Sequence, residues 1–358
     1  MPTSALLDPV AATATTGDLT ASRLRRSRLG RSAGLVLLGV LVVAVAAASL
    51  VFGARDIPLG TVLDALAHRT PGDTDVSVVR DLRIPRTLLG LAGGAALGLV
   101  GVLLQGFTRN PVADPSLIGI NAGASLLLVV GITVLGVDDA AGYVWFAFLG
   151  AGVAAAVVYG AASLGWEGAT PVKLALIGAA LTASATSATT LVLLSDRRAL
   201  QEFRFWQVGS LVGRDAETLV RLAPFLVVGA VLALVAGRTL NLLALGDDLA
   251  RGLGQNVAAG RLTVVAAIIL LSGAATALVG PIAFVGLVVP HVARAIVGTD
   301  HRWILPYSAL LGALLLVGAD VIGRLVVRPS ELEAGIVVAF LGAPVMIWLI
   351  RRAKAVSV

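Results

Sequence analysis

The chain has 358 residues, 58% of them hydrophobic and only 13% charged; a soluble domain carries about 25% charged residues, so a water-soluble globular fold is excluded. The net charge of +6 does not point to nucleic acid, because the basic residues stand in short clusters between apolar runs. The absence of cysteine excludes disulfides, thiolate metal sites and cysteine nucleophiles, and His68, His291 and His301 are too scattered for a histidine metal cluster.

Residues 1–33 are rich in Ala, Thr and Ser and end in the basic run Arg23-Leu24-Arg25-Arg26-Ser27-Arg28-Leu29-Gly30-Arg31, which reads as a disordered tail. A charge-free stretch from Ser32 to Ala54 follows, long enough to cross a bilayer at about 20 residues per helix. Ala46-Ala47-Ala48 resembles a signal-peptide cleavage site, but the polar leader is too long, and a retained first span is expected. Further apolar runs lie at 87–106, 117–136, 143–165, 172–194, 220–237, 262–279, 282–297, 304–319 and 335–350. Between Arg261 and His291 no residue is ionisable, and Gly280-Pro281 is expected to split this run into two spans joined by a tight reversal. The expectation is an all-α integral membrane protein of about ten transmembrane helices, with a transmembrane domain over 34–352 and a short C-terminal tail over 353–358. Arginines before the first span, and Arg351, Arg352 and Lys354 after the last, put both termini in the cytoplasm.

Several features carry candidate roles. Thr182, Thr186 and Thr190 recur one helical turn apart in the fifth span, either as hydroxyls bonded to their own helix or as a weakly polar wall. Gly90, Gly94 and Gly98 recur every four residues and read as close helix packing. The only lysines, Lys173 and Lys354, do not follow a phosphate-cradling glycine loop, so the chain has no ATP site of its own. The spans appear almost free of ionisable groups, His291 and Arg294 excepted, which disfavours ion-coupled secondary transport. Paired carboxylates, a metal cluster or a Ser/His/Asp set at one depth are also lacking, so no catalytic residues are expected.

The loop Arg109-Asn110-Pro111-Val112-Ala113-Asp114-Pro115 is a rigid turn on physical grounds alone. Together with Arg83-Ile84-Pro85-Arg86 and Gly94-Ala95-Ala96 it resembles the FecCD-type permeases that import ferric siderophores, haem and cobalamin. Trp206-Gln207-Val208-Gly209-Ser210-Leu211, the run from Phe284 to Arg294, and Leu341-Gly342-Ala343-Pro344-Val345 resemble that family too, in family order from about residue 80 onward.

The resemblance implies a type II ABC importer permease that binds no cofactor or metal itself. It further implies a second permease subunit, identical or paralogous, two cytoplasmic ATPase subunits that use ATP and Mg, and an extracytoplasmic substrate-binding protein. Arg83, Arg86 and Arg324 match positions where similar permeases meet carboxylates of the binding protein. The segment containing Leu245, Gly246, Asp247, Asp248, Ala250, Arg251, Leu253 and Gly254 matches the ATPase-coupling loop, and the fifth span the wall of the pathway. Residence in the bacterial cytoplasmic membrane and import of a ferric siderophore are expected, with haem and cobalamin as alternatives.

Overall fold

The structure, a computed structural model, describes residues 9–67, 73–137, 140–164, 170–213 and 216–356. His68 and residues 1–8 of the expected tail lie outside the described residues. The order of elements is α1 (Pro9–Val51), α2 (Leu59–Ala67), α3 (Thr74–Ser77), α4 (Ile84–Thr108), α5 (Ile120–Val134), α6 (Ala140–Ala162), α7 (Pro171–Ser195), α8 (Arg197–Gln207), α9 (Ala216–Leu243), α10 (Asp247–Gly252), α11 (Val257–Val279), α12 (Val285–Val297), α13 (His301–Val326) and α14 (Ala334–Val356). A π-helical turn over Val78–Arg83 joins α3 to α4, and a 3-10 turn over Pro115–Ile118 leads into α5. Among the described residues seven helices are long and apolar enough to cross a membrane, and α5, α12 and α14 are shorter apolar helices. Ten apolar helices thus stand where the hydropathy placed them.

Side chains set several of the starts. Thr170 caps α7 through the Lys173 N–H with Pro171 in the first turn, Asp196 caps α8 through the N–H groups of Arg198 and Ala199, and Asn256 caps α11 through the Ala259 N–H. The centre of the bundle is α4: the span containing it is 78% buried, against 11% for the apolar part of α1. It packs against α13, α11, α12 and α9. Its glycines make this possible, since a Cβ on Gly94 would lie 2.3 Å from the Gly312 carbonyl oxygen and one on Gly98 2.1 Å from that of Ser308. In lipid, such backbone contact replaces the hydrophobic drive that apolar tails cannot supply.

Two expectations are corrected. The chain does break at Gly280-Pro281, but the second piece is no full span. Helix α12 has 13 residues, about 20 Å of helix against a hydrocarbon core of about 30 Å. The Val279 side chain meets Gly93 in the third turn of α4, whereas Gly286 lies against Gly101, two turns further along. The non-helical residues between α11 and α12 therefore travel inside the bundle, where backbone off the helix is tolerated only against protein or a water-filled cavity. Nor are the spans nearly free of charge. Helix α13 runs on to Val326, so Asp320 and Arg324, 1% and 2% exposed, sit within it.

Candidate functional site

The bundle has two functional ends, one carrying α2, α3 and α8 and the other carrying α10. At the α8 end the three arginines matched to binding-protein contacts are committed within the chain. Arg324 donates to the carbonyls of Ser49 (3.0 Å) and Phe52 (3.1 Å) and to Ser49 Oγ (2.6 Å), and pairs with Asp320 at 2.9 Å. Arg83 donates to the carbonyls of Leu50 (2.8 Å), Val51 (2.7 Å) and Arg55. It fits because residue 53 is glycine, whose Cβ would stand 2.8 Å from the guanidinium. Arg86 pairs with Asp320 at 2.7 Å and with Glu331 at 2.6 Å. The carbonyls at the C-terminus of α1 thus find guanidinium donors from the π-helical turn before α4 and from α13, and Asp320 is shared between Arg86 and Arg324. Only Arg86, through Glu331, stays connected to the rim: its side chain is 11% exposed and that of Glu331 32%. Sequence reasoning missed Asp320, Ser49 and Glu331; the four-residue spacing of Asp320 and Arg324 was the available signal.

Three separate segments, one of them the Trp206–Leu211 motif, meet beside this cluster. Gly209 (φ 76°) accepts a hydrogen bond from the Gly335 N–H at 3.1 Å. A Cβ on Gly280 would lie 2.6 Å from the Trp206 carbonyl oxygen. The α8–α9 loop, the α11–α12 break and the start of α14 are therefore locked backbone to backbone. Next to the lock is a cavity of about 330 Å3 lined by Tyr143, Glu202, Phe205, Trp206, Ser210 and Glu333. No local pattern points to it, because its walls come from two helices and two loops.

Helix α7 turns its polar face outward. Ser184, Thr186, Ser187 and Thr190 are exposed while Thr182 is half-buried. Thr190 Oγ1 donates to the Thr186 carbonyl (2.9 Å) and Ser184 Oγ to that of Ala180 (2.9 Å), so these two hydroxyls are satisfied within the helix, whereas Thr182 Oγ1 is buried without a hydrogen-bond partner. The exposed faces of α1 and α9 carry valine and leucine instead. An apolar exterior is what lipid requires; a run of exposed hydroxyls at mid-helix is not.

At the opposite end, the segment expected to couple to an ATPase folds into α10, framed by Gly246 (φ 107°) and Gly254 (φ 80°), a backbone that residues with a Cβ rarely adopt. Ala250 is fully buried against Leu243 and Val257 and seats the helix on the bundle. Asp247 pairs with Arg109 (2.7 Å) and Arg261 (2.6 Å), which ties α10 to the loop after α4 and to the first turns of α11. Arg251 pairs with Asp248 at 3.0 Å. Leu245, Leu249 and Leu253 are 56%, 62% and 63% exposed at a spacing of four, an apolar ridge of the kind that marks a protein contact. Arg109, whose φ is 51°, lies outside the segment expected to couple.

The comparisons with known proteins bear on the whole arrangement. The model of the FecCD transport family matches residues 40–352. The chain is 48% identical over 320 residues to the ferric enterobactin transport system permease protein FepD of Escherichia coli K12, covering 89% of this chain and 94% of that one. It is 39% identical over 318 residues to the probable siderophore transport system permease protein YfiZ of Bacillus subtilis 168, covering 89% and 95%. A solved structure described as an inward-facing metal-chelate type ABC transporter superposes with a TM-score of 0.78 at 28% identity, covering 89% of this chain and 98% of that one. The break between α11 and α12, the seam of α4 and the framed α10 all lie within the matched span, and the chain belongs to the FecCD transport family.

Proposed function

We propose that the chain is the permease subunit of an ATP-driven importer and forms the translocation pathway for a ferric siderophore across the bacterial cytoplasmic membrane. The observation that carries this reading is the 48% identity to a ferric enterobactin permease over nearly the full length of both chains. In this reading both termini are cytoplasmic, residues 1–33 and 353–358 flank a permease domain over 34–352, the α10 end faces the cytoplasm and the α8 end faces out.

A second permease subunit, a copy or a paralogue, covers the hydroxyl face of α7, and Thr182, Thr186 and Thr190 line the passage. A wall of uncharged hydroxyls holds a bulky chelate weakly, as release on the far side demands. Two ATPase subunits using ATP and Mg dock on the α10 ridges, with Leu245, Gly246, Asp247, Asp248, Ala250, Arg251, Leu253 and Gly254 as the coupling segment. The substrate-binding protein docks on the face organised by Arg83, Arg86 and Arg324, where Arg86 and Glu331 supply the rim charge. Charges at such a rim set orientation and encounter rate more than affinity. The metal travels inside its chelator, so the permease needs no ligands for it, and no group of three or more metal-ligating side chains occurs among the described residues.

An ion-coupled mechanism would need an acid free to exchange protons, and the intramembrane Asp320 is held between two guanidiniums. Uptake of labelled ferric siderophore, haem and cobalamin in a strain lacking the gene tests the proposal. Loss of siderophore uptake alone, restored by the gene, is the expected result. Loss of haem or cobalamin uptake instead moves the substrate within the family, and accumulation by the chain without an ATPase refutes the class.

A further inference from the structure

The acids at the α8 end divide by what they meet. Asp56, Asp75, Glu217, Asp320 and Glu331 each pair with an arginine of this chain. Glu202 on α8 and Glu333 ahead of α14 have no such partner among the described residues. Both line the cavity of about 330 Å3 beside the backbone lock, together with Tyr143, Phe205, Trp206 and Ser210. Glu202 and Phe205 are exposed, which puts the mouth of the cavity at the surface. No basic side chain lines it among the described residues, and Arg204 of the same helix belongs to a separate hollow with Gln201 and Val208.

Two atoms of these wall residues have no partner. Glu333 Oε2 is shut off from solvent without a donor, and the indole N–H of Trp206, a side chain 5% exposed, has no acceptor. Buried polar atoms nearly always find a partner, so an orphaned acceptor and an orphaned donor around one cavity point to a group from outside the chain. Water answers both atoms but brings no charge, and two carboxylates at one site repel each other until a cation joins them. Phe205 and Trp206 add flat aromatic surface, which attracts a planar cation. A guanidinium matches this set, with its five N–H donors for two carboxylates and a face that stacks on the rings. The peptide carbonyl of the same arginine supplies the acceptor for Trp206.

We infer that this cavity is a socket for an arginine side chain of the substrate-binding protein, which rests on the docking face proposed above. Arg83, Arg86 and Arg324 of that face are held within the chain, whereas the two carboxylates of the cavity are unengaged. A site that grips a cation this way suits a protein that docks rather than a cargo that has to leave.

The test uses the permease assembled with its ATPase in nanodiscs and measures its affinity for the substrate-binding protein of the same system, at low and at physiological salt. Glu333→Gln should weaken binding about tenfold and Glu202→Gln about threefold, with a shallower salt dependence, as the loss of a partly desolvated and of an exposed charge pair predicts. Glu217→Gln, which removes a carboxylate already paired with Arg221, should leave affinity unchanged. Glu333→Arg should abolish docking, and changing one arginine of the binding protein to glutamate should restore it. In the permease alone Glu333→Gln should leave Tm unchanged, because no partner within the chain is lost. Affinity within about twofold of the parent for both Glu→Gln variants would overturn the inference and leave the proposed function standing, whereas a parent transporter that does not bind the protein at all would overturn both. Altered siderophore uptake at unaltered affinity would overturn it by assigning the cavity to the cargo. A fall in Tm for Glu333→Gln that disappears when Arg214→Gln is added would overturn it by giving the cavity to Arg214, which lies outside the described residues.

Discussion

Replacing Asp320 by asparagine keeps the shape of the side chain and removes the charge that Arg86 and Arg324 share. Both ion pairs are short, at 2.7 and 2.9 Å, and Asp320 and Arg324 are almost wholly buried. Stripping one partner from a buried pair costs about 3–5 kcal/mol, because the remaining charge stays buried without compensation. Arg324 would keep the carbonyls of Ser49 and Phe52, and Arg86 would keep Glu331, which argues for the lower half of that range. The expected consequence is a fall in Tm on the order of 10 °C, read from the tryptophan fluorescence of the purified protein in detergent. Arg86→Gln should cost less, about 1–3 kcal/mol, since Asp320 keeps Arg324. A Tm for Asp320→Asn within about 2 °C of the parent would refute the idea that this cluster fastens α1 and α13 to α4.

The other expected outcomes address separate parts of the molecule. Gly94→Val should cost at least about 1–3 kcal/mol by overpacking against the α13 backbone and lower the amount of folded protein in membranes, whereas Gly39→Ala, with open space around it, should do neither. Leu249→Asp should leave Tm unchanged yet abolish co-purification of the ATPase, and Asp247→Ala should lower uptake with a stability loss below about 1 kcal/mol, as befits partly exposed pairs. Thr186→Trp should cut uptake at normal abundance in membranes; normal uptake would remove α7 from the passage. Burial opposes the charge of Asp300, but the Asn241 hydrogen bond, the Arg302 N–H and the charges of Arg302 and Arg31 outweigh it and hold the carboxyl below the usual aspartate range. Its stabilisation is therefore present above the unfolded-state pKa and lost as pH falls through the lower folded value. Asn241→Ala should move that loss to higher pH, seen in Tm measured from pH 3 to 6.

Hydropathy alone located the ten apolar helices, because a bilayer imposes length and apolarity on any segment that crosses it and both are local properties of the chain. The break at Gly280-Pro281 was legible for the same reason, since the helix-breaking chemistry of that pair does not depend on its neighbours. The segment of α10 was singled out by its match to the family's coupling loop, its residues alone fitting a solvated loop equally well, and the glycine spacing in α4 already pointed to close packing.

What the chain does after breaking was not legible. That α12 begins part-way through the bundle follows from Gly286 meeting Gly101, a contact across 185 positions that no local pattern encodes. The arginines near residues 83 and 324 looked like free rim charges because sequence shows charge but not the partner that absorbs it. Only packing α13 beside α1 brings Asp320, Ser49 and the α1 carbonyls to them. Local physics therefore fixes which segments enter the membrane and where they stop. Pairing of distant groups decides which charges are structural and which face is left polar.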